Sequence, residues 1–415
     1  MAFAPIDSVD LLDDKAGFHL TLFLLLSAVY VFCLAFEYIS TRALGNRPLS
    51  LRLFDTASAV TFLFVISIFT SMVFLARDTQ NFAFSRAIYG IGLIVFARLF
   101  VAREHADLPL VIAWATRIYI VCDTIAVLYQ SLAILNNWTI PGFLYGLEIV
   151  GVSGVSRFGG LVLDPNRSSI VLILLMGLAY FSGSLIEESK RVARLYYVIG
   201  TLLSLLTLSR TGVVALLILA SVPFVRSRHK LRILAKAFLI VALLGGAVLA
   251  YLMKTQSLSS TIDLARLALF SSNQREESTA IHFQLIEEGT ELFAENPKTI
   301  LLGYGWGTEY EYTGQYFGDS KYSNFHCEYV SIAVQSGILG LSCLCFLLLR
   351  PLMVSLAWGP LVLIILWSCT FYQYHGEPIW WIVIIIMNTM RLRSIGHMQS
   401  APSHAFAFPS HPSVY

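Results

Sequence analysis

The residues of this chain best suited to chemistry are one histidine and a set of arginines, each set against an apolar run. His326 opens the stretch SNFHCEYVSIAVQSGILGL, Ser323 to Leu341. A neutral imidazole near pH 7 can take a proton from a hydroxyl. Arg210 stands in LSRTG, with only Ser209 and Thr211 between it and two apolar segments, and Arg157 stands in GVSRFGGLVLDPN. Arg275, with Arg167 and Arg266, completes the group. A guanidinium is permanently charged and can hold two phosphate oxygens at once. The competing reading for each is headgroup contact or snorkelling, although a charge as close to hydrocarbon as Arg210 calls for a partner.

Helical spacing after His326 places Val330, Ala333, Gly337 and Gly340 on one face. Small residues there admit a close neighbour, so His326 is expected to point into a bundle at the mouth of a packed seam. Ser323 or Asn324 is the expected cap, and the positive end of the helix disfavours imidazolium. The plainer alternative is a polar cap on a hydrophobic helix.

The elements that must position these groups follow from composition. With 415 residues, 57% hydrophobic, 13% charged and a mean hydropathy of +0.71, the chain is expected to be all-α, a polytopic membrane helix bundle. The net charge of +2 is scattered, which argues against nucleic acid as a partner. Cys33, Cys122, Cys327, Cys343, Cys345 and Cys369 show no ligand spacing and read as small apolar residues. The acidic start lacks the basic region of a signal peptide, so the first span is expected to be retained.

A crossing needs roughly 20 apolar residues. About 11 spans (10–12) are expected, at roughly 18–36, 54–76, 84–102, 108–134, 167–185, 193–208, 211–226, 232–253, 326–349, 352–371 and 377–390. The linkers carrying Lys190, Arg191 and Arg194 and carrying Arg226, Arg228, Lys230 and Arg232 are both basic, hence both cytoplasmic, so an even number of crossings separates them. The chain is therefore predicted to turn at LSRTG, placing Arg210 outside with loops 136–166 and 254–323. Divided by organisation, residues 1–135 are N-terminal transmembrane helices, 136–345 a catalytic transmembrane core, 346–393 C-terminal helices and 394–415 a disordered cytoplasmic tail.

The outer loop 254–323 is long enough to be a functional element carrying short helices. Within it Ile281, Leu285, Leu292 and Phe293 share a helical face that ends at Asn296 and Pro297. Between residues 304 and 325 stand 8 aromatics, among them Tyr304, Trp306 and Tyr322. They suit either an interfacial belt or stacking against sugar faces. Gly303, Gly305 and Gly307 allow a tight turn. Inside the fourth span Arg117 is either functional or a structural partner of Asp55, Asp123 or Glu37.

RFGGLVLDPN, LSRTG, ENPKTILLGYGWG and HCEYVSIAVQSGILG, in this order, resemble the O-antigen ligase and O-antigen polymerase superfamily of bacterial envelope enzymes, over about residues 150–345. The run from His326 to Gly337 and Gly340 is similar to the family's histidine-loop motif. Cys327 departs from it where Asn, Ser or Gln is usual. His282 stands where the family often has an arginine, with Arg275 seven residues earlier as its replacement.

The resemblance implies a metal-independent inverting glycosyltransferase without cofactors. It would move glycan from a polyprenyl-diphosphate-linked oligosaccharide to the hydroxyl of an acceptor glycan, at the periplasmic face of the bacterial inner membrane. His326 would be the general base; Arg157, Arg210 and Arg275 would hold the diphosphate. His282, Tyr304, Trp306 and Tyr322 are candidates for further substrate contacts, membrane lipid is a partner, and a chain-length regulator is a candidate partner. Polymerase is the leading reading and ligase the alternative. A transporter or flippase of lipid-linked sugars would instead line a path near the midplane with charge.

Overall fold

The computed structural model describes residues 22–43, 56–75, 81–104, 107–136, 150–152, 155–162, 164–183, 190–226, 274–309 and 325–390. The expected span 232–253 and the tail 394–415 lie outside them. The described chain is helical apart from one antiparallel hairpin, β1 (Val150–Val152) with β2 (Val155–Arg157), in which Val150 faces Arg157. Its first half contains α1 (Leu22–Ala43), α2 (Thr56–Leu75), α3 (Asn81–Arg103), α4 (Leu108–Asn136), α5 (Pro165–Ser182), α6 (Lys190–Leu206) and α7 (Arg210–Arg226). There follow α8 (Gln274–Ala294), α9 (Pro297–Leu302), α10 (Glu328–Val354), α11 (Gly359–Cys369) and α12 (Pro378–Thr389). A turn separates α6 from α7 where the charge parity of the linkers requires one.

Two helices sit in the interior and the rest wrap them. In α5 the run Ser168 to Ala179 is buried without a break, and in α12 every residue from Pro378 to Asn388 is buried. A helix apolar all round is stable only when covered on all sides. Accordingly α5 packs against α4, α6, α7 and α11, while α12 packs against α3 and α10. The outward faces of the surrounding helices remain apolar: Phe32, Phe62, Ile125 and Leu217 are each more than 60% exposed. Such faces suit lipid rather than water.

Among the described residues, two helices are long and apolar enough to cross a membrane, Leu108–Ala133 and Glu328–Val354, while others such as Leu356–Cys369 and Pro378–Thr389 are apolar but shorter. The apolar runs are not all continuous helices. α11 starts only after a separate 3-10 turn, Leu356–Trp358. Within α10, Gly337 leaves helical geometry at φ 64° and ψ −168°. The seam expected along Val330, Ala333, Gly337 and Gly340 is thus two short segments.

That break admits another piece of backbone. A methyl group built on Gly337 would lie 2.3 Å from the Leu301 carbonyl oxygen at the end of α9. Just before the break, the Val334 carbonyl accepts from the Tyr304 N–H at 2.7 Å and the Gln335 carbonyl from the Gly305 N–H at 3.0 Å. Buried carbonyls cannot be left without donors in an apolar interior, so the GYGWG turn substitutes for missing helical amides. Its three glycines all have positive φ, as a tight turn requires.

Gly337→Ala should therefore be severely destabilising, by more than about 2 kcal/mol, since its φ and ψ are open essentially to glycine alone and the overlap is with backbone. A methyl group on Gly92 in α3 would meet nothing within 4 Å, so Gly92→Ala should be neutral or slightly stabilising. Thermal midpoints of the two variants in detergent or nanodiscs check the contrast.

Candidate functional site

Three segments distant in sequence meet at His326, and the first is the N-terminus of α5. In LDPN, Asp164 is the N-cap and Pro165 the first helical residue, a pairing that starts helices well because the carboxylate takes orphan amides and proline has none to satisfy. Asp164 Oδ1 accepts from the Asn166 N–H at 2.6 Å and the Arg167 N–H at 3.3 Å. Its Oδ2 remains for the Tyr372 hydroxyl, which donates at 2.8 Å. Asn166 Nδ2 donates to the same hydroxyl oxygen at 2.6 Å. Burial, then Asp164, push the Tyr372 hydroxyl well above its usual range, so it stays protonated.

Arg157 joins this group to the turn before Arg210. Its guanidinium donates to Asn166 Oδ1 at 2.7 Å and to the Thr207 carbonyl at 3.0 Å. Ser209 then caps α7, accepting from the Gly212 N–H at 3.1 Å, so Arg210 is the first helical residue. Arg210 is exposed and makes no hydrogen bond or ion pair with another described residue. Arg157 and Arg210 are thus held by one turn, and Leu208 in that turn has a φ of 52°. Arg167 forms an ion pair with Glu377.

Below these residues Asp123 anchors the RFGG loop to α4. Its Oδ1 accepts the Leu161 N–H at 2.8 Å, and Gln130 Oε1 accepts the Gly160 N–H at 3.2 Å. Gly160 has φ +62°, and a methyl there would lie 2.0 Å from Asp123 Oδ1, so only glycine lets the loop come this close. Of the partners considered for Arg117, Asp123 thus holds the loop, Glu37 lies 3.3 Å from Arg103, and Asp55 is outside the described residues. The Arg117 guanidinium itself lies 5.5 Å from the Trp114 ring centroid.

His326 stands two residues before α10 with a φ of 51°, uncommon for a residue bearing a side chain. Its ring stacks on His282 of α8, centroids 4.3 Å apart and planes within 17°, and meets the Tyr372 ring edge-on at 6.1 Å. Burial, then His282, lower its pKa to about 4, while Asp164 acts in the opposite direction. His282 is also lowered, by burial. Both rings are therefore neutral near pH 7, and His282 does not supply the charge that an arginine at its position would.

The expected cap is replaced. Ser323 and Asn324 lie outside the described residues; Cys327 occupies the N-cap position with no side-chain cap hydrogen bond. It is buried, which pushes its thiol up and keeps it uncharged. Tyr304 and Trp306 are interior residues. Trp306 is 2% exposed and lies edge-on to Phe64, and Tyr304 packs with Phe325 and Val334. Both rings are therefore core residues, while Tyr310, Tyr312, Tyr316 and Phe317 of the same stretch lie outside the described residues. Tyr322 is outside the described residues, as is the side chain of Arg275, whose backbone lies in the first turn of α8.

Asp164, Asn166 and Tyr372 were not legible as site residues from spacing. Asp-Pro before an apolar run does signal a helix start, but nothing local marks Tyr372, which arrives from the loop between α11 and α12. A family comparison covers much of the constellation. Residues 195–345 match the O-antigen ligase family model. Arg210, His282 and His326 all fall inside that stretch, which supports the O-antigen ligase and polymerase superfamily and a glycosyl-transfer type of enzyme for this chain. Arg157, Asp164, Asn166 and Tyr372 fall outside the match. No curated protein matches the chain.

Tyr372→Phe should lower stability by roughly 1–3 kcal/mol, because one hydroxyl serves both Asp164 and Asn166. Asp164→Asn should cost less in the Tyr372→Phe background than alone. A double-mutant cycle on thermal midpoints measures the difference.

Proposed function

We propose that this chain is a polysaccharide polymerase of the bacterial inner membrane. It transfers glycan from a polyprenyl-diphosphate-linked donor to an acceptor hydroxyl on another lipid-linked repeat unit, at the periplasmic face. The observation that carries the reading is His326, a neutral imidazole on a backbone of positive φ at the junction of Tyr372, His282 and the Asp164 cap, in the stretch that matches the family. About 11 spans, with a large outer loop, would carry this site in the bilayer.

In the proposed reaction His326 removes the proton of the acceptor hydroxyl as its oxygen attacks the anomeric carbon. The bond from that carbon to the diphosphate oxygen breaks, with inversion, and the proton remains on the imidazole. General-base catalysis of this kind contributes about 10²- to 10⁴-fold. Exposed Arg210 is available to meet the charge growing on the leaving diphosphate through charge-assisted hydrogen bonds, each roughly 1.5–3 kcal/mol. Arg157 holds the turn that presents it, and Arg275 is the third candidate. An imidazole with a pKa of about 4 is a weak base in the free protein. A diphosphate dianion beside it would raise that pKa, adding to the field of Asp164, which already favours the imidazolium in the free protein.

Three outcomes test this reading. His326→Ala and Arg210→Ala should each abolish polymer in the envelope while the protein remains in the membrane; normal chain length and yield in both would sink it. The acid limb of kcat/KM should lie near pH 4, because the free imidazole is competent above its folded pKa and is lost as pH falls through it. An inflection near 6.5, the ordinary histidine value, would contradict the buried pair. Purified protein with lipid-linked repeat units should give a ladder of lengths, whereas a single transfer seen only with lipid A core would make it a ligase.

A further inference from the structure

A second polar cluster lies behind the site and takes no part in the proposed chemistry. Glu309, Glu328 and His375 are 0%, 0% and 5% exposed, and they come from three separate segments. Glu309 ends the GYGWG turn, Glu328 is the first residue of α10, and His375 lies in the loop before α12. His375 Nδ1 is 3.3 Å from Glu328 Oε2, and His375 Nε2 is 3.6 Å from Glu309 Oε1. Glu328 Oε2 also accepts the backbone N–H groups of Tyr374 at 2.6 Å and His375 at 3.2 Å. Gln373 bonds Glu309, and Gln335 Nε2 lies 3.4 Å from His375 Nε2. The Trp381 indole donates to the His375 carbonyl at 2.8 Å, and Trp306 packs edge-on against the His375 ring at 4.6 Å.

We propose that His375 is a positioning residue for His326, fixing the first turn of α10 by bridging Glu328 and Glu309. Glu328 is two residues from His326, so whatever holds Glu328 sets where the imidazole begins. The same loop carries Tyr372, three residues from His375, and Tyr372 touches both His326 and the Asp164 cap. One imidazole therefore sets the spacing between the base and the α5 cap. Burying two carboxylates together is costly unless a cation or proton is shared among them; burial pushes Glu309 up and His375 pulls it back. Removing the His375 ring takes away the group that bridges Glu328 and Glu309, which is why the effect should be large and local.

The catalytic half of the test rests on the glycosyl-transfer reading; the structural half does not. Full-length protein in nanodiscs is pulsed with N-ethylmaleimide, and labelling of each cysteine is followed by peptide mass spectrometry. Cys327 adjoins His326 and is buried; Cys369 in α11 is 0% exposed and reports global opening. His375→Ala should speed Cys327 labelling by about 10- to 100-fold, the scale of a lost charge-assisted hydrogen bond, and leave Cys369 unchanged. Turnover should fall by a similar factor with KM held. His375→Gln, which keeps one donor, should restore part of both, and Glu328→Gln should behave like His375→Ala. Unchanged Cys327 labelling would overturn the proposal, and so would equal acceleration at Cys369, which would make His375 a general stabiliser. If wild-type protein transfers no glycan, the functional reading fails while the contrast between Cys327 and Cys369 still decides the positioning.

Discussion

The contact on which the arrangement depends is the approach of two backbones at Gly337. There the end of α9 presses against a break in α10, and the amides of Tyr304 and Gly305 take the carbonyls of Val334 and Gln335. In an apolar interior each of those carbonyls would otherwise be an unmet acceptor, at a cost of several kcal/mol. Closing this junction fixes the first segment of α10 against α9 and the GYGWG turn. It also fixes, at either end of that segment's surroundings, Glu309 and His326.

From that junction the polar groups separate into two layers. Nearer the α5 cap, Asp164, Asn166, Tyr372 and Arg157 form a chain of hydrogen bonds reaching the turn that ends at Arg210. Behind it, Glu309, His375 and Glu328 hold the start of α10. The first layer leaves the guanidinium of Arg210 exposed, while burial and His282 keep the imidazole of His326 neutral, which is what a charge-stabilising group and a base respectively require. Two bearing residues of the site, Leu208 and His326, have positive φ. Strain of this kind persists only where the surroundings over-determine it, and here the Thr207 and Ser209 bonds and the α10 anchor do so.

Much of the helical plan was legible because a membrane imposes it. Apolar length marks α2, α4 and α5, and basic linkers demand a turn at LSRTG, where the structure has one. The cap at Asn296 and Pro297 is similarly local: its side chain takes the amides of Lys298 and Thr299. Legibility failed where a long apolar run is not one helix. The break at Gly337 satisfies its freed carbonyls with a partner about thirty residues away, and hydropathy carries no trace of that exchange. Aromatic density likewise does not separate a ring in the core, as Tyr304 and Trp306 are, from one that faces a headgroup or a sugar.

By itself the sequence determined the helical class, the turn before Arg210 and the singular position of His326, since each follows from local apolarity, charge or capping chemistry. Which groups surround that histidine was decided only in three dimensions. His282, Tyr372 and Asp164 are brought to it from three parts of the chain, and the loop that carries Tyr372 also brings His375 to Glu328. Their pairing depends on distances between elements and not on spacing along the chain, and burial then keeps His326 neutral by removing the water that would stabilise its charge.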